Sequence, residues 1–180
     1  MHKVTILFLF VAFLGTSKAQ KLLPFDEGSS VKFSIKNFGF STSGNFTGLK
    51  GNIQFDAGNI TAANFVVSVD TKTINTGNNA RDNHLRKDDY FDVAKFPLIL
   101  FTSVSVSKDA GSTGYIMSGR ITIKDVTKQI TFPFTAIVQN NGYLFTGSFS
   151  LNRRDFGVGG NSMVLADNLQ VSLNILTKKN

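Results

Sequence analysis

From Val31 onward the chain alternates apolar and polar side chains. Val31, Phe33 and Ile35 are separated by Lys32, Ser34 and Lys36, the period-2 pattern of a strand with one buried face. Gly48 to Gly51 reads as a turn into the strand Asn52–Phe55, and Asn64–Asp70 sets Phe65, Val67 and Val69 on one side. Beyond Pro97, Leu98, Leu100, Val104 and Val106 share one parity, and Ile99 and Phe101 share the other. Tyr115, Met117, Gly119, Ile121 and Ile123 alternate cleanly, and after Lys124–Lys128 so do Ile130, Phe132, Phe134, Ala136 and Val138. Asn140-Asn141-Gly142 is a hairpin-turn signal, and Tyr143, Phe145, Gly147, Phe149 and Leu151 form its return strand. Leu169, Val171, Leu173 and Ile175 complete a set of eight strands joined mostly in sequence.

Eight antiparallel strands with one apolar face hide it either in a two-sheet sandwich or in a closed barrel, and the pattern leaves both open. Only Asn78–Val93 reads as helical. Asn78 or Asn79 caps its start, Asp82 and Arg86 stand four apart, and Pro97 stops it. Weak apolar periodicity limits it to one or two turns lying across the strands. No repeat or linker divides the chain, so a single domain over residues 20–180 is expected.

The first residues change the compartment. His2 and Lys3 precede an apolar run from Val4 to Gly15, and small residues lead to Ala19. This is the layout of a secretory leader, residues 1–19, cleaved after Ala19, and the run is too short for a spanning helix. A periplasmic or secreted protein is therefore expected. The chain has no Cys, so core and strand ladders hold it without disulfides, and cysteine zinc sites are excluded. Without Lys3 and Lys18, 17 basic and 12 acidic groups remain, net +5. That favours transient contact with an anionic membrane surface, but the basic residues form no stripe and nucleic acid is not an expected partner.

Three ordered segments carry more than pattern. Arg81-Asp82-Asn83-His84-Leu85, followed by Tyr90-Phe91-Asp92 and Pro97, resembles the bacterial YceI-like, polyisoprenoid-binding family. Ser118–Pro133 is similar to that family's paired-strand segment, and Leu151–Val158 to its Arg-Asp-Phe-Gly segment. Asp125 stands where members often have Gly and Ile121 where Leu is common, both mild departures. The resemblance implies an all-β, eight-stranded antiparallel lipocalin-like barrel with a short helical connection, holding a long-chain isoprenoid lipid inside. It implies no cofactor. It also allows a homodimer, for which no feature of the sequence argues.

The residues are compatible with that implication. Eighteen Phe and no Trp supply apolar surface without a donor to satisfy, although Phe8, Phe10 and Phe13 fall in the leader. The same rings would also plug an eight-stranded bore. Mid-strand Gly119 and Gly147 either make room for a ligand or turn barrel corners. The expected lining is Phe33, Phe40, Phe65, Phe101, Phe132, Phe149 and Phe156, with Leu85, Tyr90, Phe91 and Phe96 facing inward from the charged connection. Arg81 is the expected contact for a headgroup phosphate and His84, also at the ligand's polar end, is the group expected to respond to pH, both staying near water with Asp82, Arg86 and Lys87. Asp82, Arg154, Asp155 and Gly157 are expected to be structural, pinning the connection to the rim and forming a turn anchored by Phe156.

Catalysis has little to work with. His84 is the one histidine outside the leader, and no Gly-x-Ser-x-Gly or His-Glu-x-x-His motif occurs. His84 with Asp88 or Asp92 lacks metal-ligand spacing. The remaining rivals are a carrier of another amphiphile, such as a fatty acid or quinone, and a solid-cored interaction module.

Overall fold

The alternating segments close into a ring. The structure, a computed structural model, describes residues 21–180; the expected leader and its expected cleavage position lie outside the described residues. The strands are β1 (Lys21–Pro24), β2 (Ser30–Asn37), β3 (Phe40–Gln54), β4 (Asn64–Asn75), β5 (Leu98–Lys108), β6 (Tyr115–Ile123), β7 (Val126–Gln139), β8 (Gly142–Asn152) and β9 (Leu165–Lys179). Each of β4 to β9 pairs antiparallel with the next, β9 continues to β2, β2 to β3, and β3 back to β4. Among the described residues this is a closed eight-stranded antiparallel barrel with one α-helix, α1 (Asn79–Leu85), and closure leaves them no long bare edge.

Two parts of the ring depart from the sequence reading. Strand β1 is additional: it pairs with β3 (Leu22 opposite Ile53) and with β9 (Leu22 opposite Lys179), so β1 and β2 together fill one position in the ring. Strand β3 runs through Gly48–Gly51 rather than starting after it, because these glycines make bulges instead of a turn. Its register against β4 shifts twice between Asn45 and Lys50. Gly48 has φ +74, and Gly51 has φ +147 with its Cα pressed so closely on β4 that a Cβ would meet Val66 O at 2.2 Å. The Asp26 carboxylate, in the break between β1 and β2, accepts the freed N–H groups of Gly48 (3.0 Å) and Leu49 (2.9 Å). Bulges of this kind bend a strand and tighten a barrel's curvature.

A further register shift lies between Ser103 and Ser105 in β5. It resolves the two parities of that segment. Before it Ile99 and Phe101 face the interior and Leu98 and Leu100 face out; after it Val106 is buried. One extra residue swaps the faces, as period 2 requires.

One end of the barrel is sealed by aromatic rings. Phe55 is 1% exposed and meets Phe65, Tyr115, Phe134, Tyr143 and Phe145 edge-on at centroid distances of 5.1–6.4 Å. Edge-to-face packing of this kind is favourable beyond the area it buries. Leu22 from β1 and Ile53 are buried in the same cluster. The other end carries the β2–β3 hairpin tip, α1 with the segment to Pro97, the Lys124-Asp125 turn and the connection from β8 to β9.

A blind apolar cavity and its mouth

The bore is hollow. A cavity of about 460 Å³ runs up from the aromatic floor, within the usual range for small-molecule sites. Every strand of the eight-membered ring contributes to its wall: Phe33, Phe46, Phe65, Phe101, Met117, Phe132, Phe149 and Val171 all line it. Polar groups gather toward the mouth, where Asn37, Thr42, Thr76, Arg81, His84 and Ser162 join the lining.

Glycine explains how so many rings leave space. A Cβ at Gly44 would come within 2.4 Å of Phe33, and one at Gly119 within 2.3 Å of Phe101. Each ring lies over a bare backbone and is kept against the wall. Gly119 therefore accommodates a protein side chain, whereas Gly147 lines the cavity itself.

The charged connection forms part of the mouth. Asn78 caps α1, its side chain accepting from Arg81 N–H at 3.0 Å. Leu85, Tyr90 and Phe91 reach the cavity, and Phe91 meets Phe46 edge-on at 5.4 Å. Arg81 is half-buried and donates from Nε and Nη2 to the Thr76 hydroxyl (2.7 Å) and carbonyl (2.8 Å). His84 is exposed, with Nε2 2.9 Å from Asp89 Oδ2 and its ring edge-on to Tyr90.

Asp82 stands apart from the expectation that it stays near water. It is buried, and its carboxylate accepts from both the N–H and the hydroxyl of Thr76. Nor does it pair with Arg86. Beyond Asp70, β4 has left β5, and Arg86 donates to the freed carbonyls of Lys72 (2.8 Å) and Ile74 (2.9 Å) and to Asn83. Each partner is thus taken elsewhere, the Asp82 carboxylate by Thr76 and the Arg86 guanidinium by carbonyls that the departing strand leaves without a ladder partner.

Two expected lining residues lie elsewhere. Phe40 is opposite Asn37 on the inward face, but there the hairpin has passed the rim, and the ring is 77% exposed. Phe96 is half-buried outside the cavity, with Lys95 Nζ 5.0 Å from its ring centre and its carbonyl accepting from Thr71. Phe33, Phe65, Phe101, Phe132, Phe149 and Phe156 do line the cavity.

The arginine that organises the opposite rim is Arg153 rather than Arg154. Arg153 is 4% exposed and donates to the carbonyls of Val158, Gly160 and Ala166 and, at 2.9 Å, to Asp167. Arg154 is half-exposed and 3.6 Å from the same carboxylate. Asp155 is exposed in the first turn of a 3₁₀ segment, Arg153–Phe156, whose left-handed cap is Gly157 (φ +62), while Phe156 is buried below. The missed signal was parity, since Phe145, Gly147, Phe149 and Leu151 lead directly to Arg153 on the inward face.

Known proteins match this arrangement. Residues 25–176 match the YceI-like domain. A UPF0312 protein of Shewanella denitrificans is 31% identical over 137 residues, covering 72% of this chain and 71% of the relative. The crystal structure of Burkholderia cenocepacia BcnA superposes with TM-score 0.78 at 23% identity, over 83% of this chain and 96% of that one. A polyisoprenoid binding domain from Saccharophagus degradans, implicated in plant cell wall breakdown, gives 0.68 at 15% identity, over 88% and 98%. The structural likenesses establish the fold, and the matched domain together with the Shewanella relative places this chain in the YceI-like family.

Proposed function

We propose that this chain is an exported carrier that holds a long-chain isoprenoid lipid, a polyprenyl or isoprenoid-quinone type, in its barrel for storage or transport. The observation that carries the proposal is the cavity: predominantly apolar along its wall, closed below by the Phe55 cluster, with polar side chains gathered toward its mouth. A hydrocarbon tail without polar handles fits such a wall, and a wet end fits Arg81 and His84. Export to the periplasm or beyond rests on the leader, and the choice of isoprenoid over other lipids rests on the likeness to the Saccharophagus domain.

Magnitudes favour a snug but exchangeable cargo. Each five-carbon unit offers roughly 3 to 4 kcal/mol gross at ~0.8 kcal/mol per buried methylene. Ordering the tail takes back much of this, so affinity stays below the ceiling of real complexes.

Organic extraction of the purified protein followed by mass spectrometry tests the proposal. Prenyl lipid is the expected finding. A fatty acid instead would make it a carrier of another amphiphile, and an empty barrel would overturn the carrier reading. Phe91→Asp, which sets a charge against Phe46 inside the cavity, should abolish lipid retention, whereas Lys87→Ala on the exposed side of the connection should retain it. Equal retention in both would sink the placement of the mouth.

A further inference from the structure

The hairpin that overshoots the rim is apolar where a turn is ordinarily polar. Phe38 and Gly39 join β2 to β3 with φ +51 and +77, the positive pair that a two-residue hairpin requires and that Asn, Asp or Gly normally supply. A phenylalanine there accepts an unfavourable backbone conformation, yet its ring is 69% exposed and buries little in return. Phe40 beside it is 77% exposed. Strain retained with no packing gain points to a surface role.

A second segment completes the tip. Phe38 N–H donates to Val164 O at 2.9 Å, fastening the hairpin to the loop that carries Met163, which is fully exposed, and Val164, which is 39% exposed. Val164 also lines the cavity, so the outer patch and the inner wall are one continuous apolar surface. The exposed charge nearest the turn is basic: Lys36 precedes it by two residues, residues 157–166 hold no charge, and Asp167 across from Lys36 is paired with Arg153 and Arg154. The far side of the mouth, residues 81–97, balances Arg81, Arg86, Lys87 and Lys95 against Asp82, Asp88, Asp89 and Asp92.

We infer that Phe38, Phe40, Met163 and Val164 form a docking tip that inserts into the interface of an anionic lipid bilayer, with Lys36 over the headgroups. Exposed rings on a projecting turn suit the headgroup and acyl boundary, and lysines beside them add attraction to anionic lipid. The inference rests on the cavity opening at this end, whatever lipid fills it. Docking places the mouth against the bilayer, and Val164 bridges membrane and bore.

Flotation of the purified protein with vesicles of phosphatidylethanolamine containing a quarter phosphatidylglycerol reads docking without cargo transfer, so failure of the tip is separable from failure of the carrier reading. F38S/F40S should lower partitioning roughly tenfold or more while the protein keeps its bound lipid. Lys36→Ala should lower it about fivefold on these vesicles and leave neutral vesicles unchanged. L98S/L100S, on exposed wall positions, should match the parent. Because the chain has no Trp, Phe38→Trp supplies a single tryptophan, excited selectively over the three Tyr, whose fluorescence should shift to the blue on vesicles. Parental binding by F38S/F40S, an unshifted Trp, or a dimer in sedimentation that F38S/F40S splits would overturn the inference, the last by making the tip a contact between copies.

Discussion

The two ends of the barrel are built from the same residue types and do opposite things. At the floor, Phe55 is surrounded by five rings and is 1% exposed; at the mouth, Phe38 and Phe40 have no such surroundings and stand in solvent. The floor uses aromatic surface for stability, and the rim leaves it free for contact. The rim instead takes its order from hydrogen bonds: Asp82 and Arg81 on Thr76, Arg86 on Lys72 and Ile74, and Arg153 on four carbonyls and Asp167. An opening held by polar fastenings keeps its shape without filling its centre.

Variants at the two ends should separate these roles. Phe55→Ala should cost about 4 kcal/mol in urea unfolding, the largest single effect, because it removes the ring that the floor is built around. A cost near that of a surface change would mean the floor is not the stabilising end. Arg153→Ala should cost about 3 kcal/mol and lower the melting temperature, since the carbonyls of Val158, Gly160 and Ala166 lose their donor. Gly119→Ala should cost about 2 kcal/mol by forcing Phe101 off the wall, and, unlike the other two, it should reduce extractable lipid because the ring moves into the bore. Arg154→Ala should change stability by no more than about 0.5 kcal/mol; a loss equal to that of Arg153→Ala would erase the distinction between the two arginines.

What the sequence disclosed and what it withheld divide along physical lines. Alternation fixes faces wherever a strand runs regularly, which is why Phe33, Phe65, Phe132 and Phe149 fall on the cavity wall. It fails at register shifts. The two parities of Leu98–Val106 were both real, with the swap hidden at Ser103–Ser105, and the glycines of β3 looked like a turn because these bulges, like many turns, place Gly at positive φ. Strand β1 is four residues long and ends in Pro24, too short to show a period. Phe40 has the right parity at the wrong height, since pattern does not say where a barrel ends. Whether the bore is filled depends on rings lying over Gly44 and Gly119 from neighbouring strands, a relation invisible along the chain.

The seam between β2 and β9 sets an order of assembly. It pairs Ser30 with Asn174 and Phe33 with Val171, so the ring cannot be completed until the far end of the chain has arrived. Contacts so distant in sequence form slowly, and a chain still lacking β9 presents β2 and β8 as bare edges. The cavity is therefore enclosed only after delivery of the fifteen residues of β9, which makes the last strand the latch on the container.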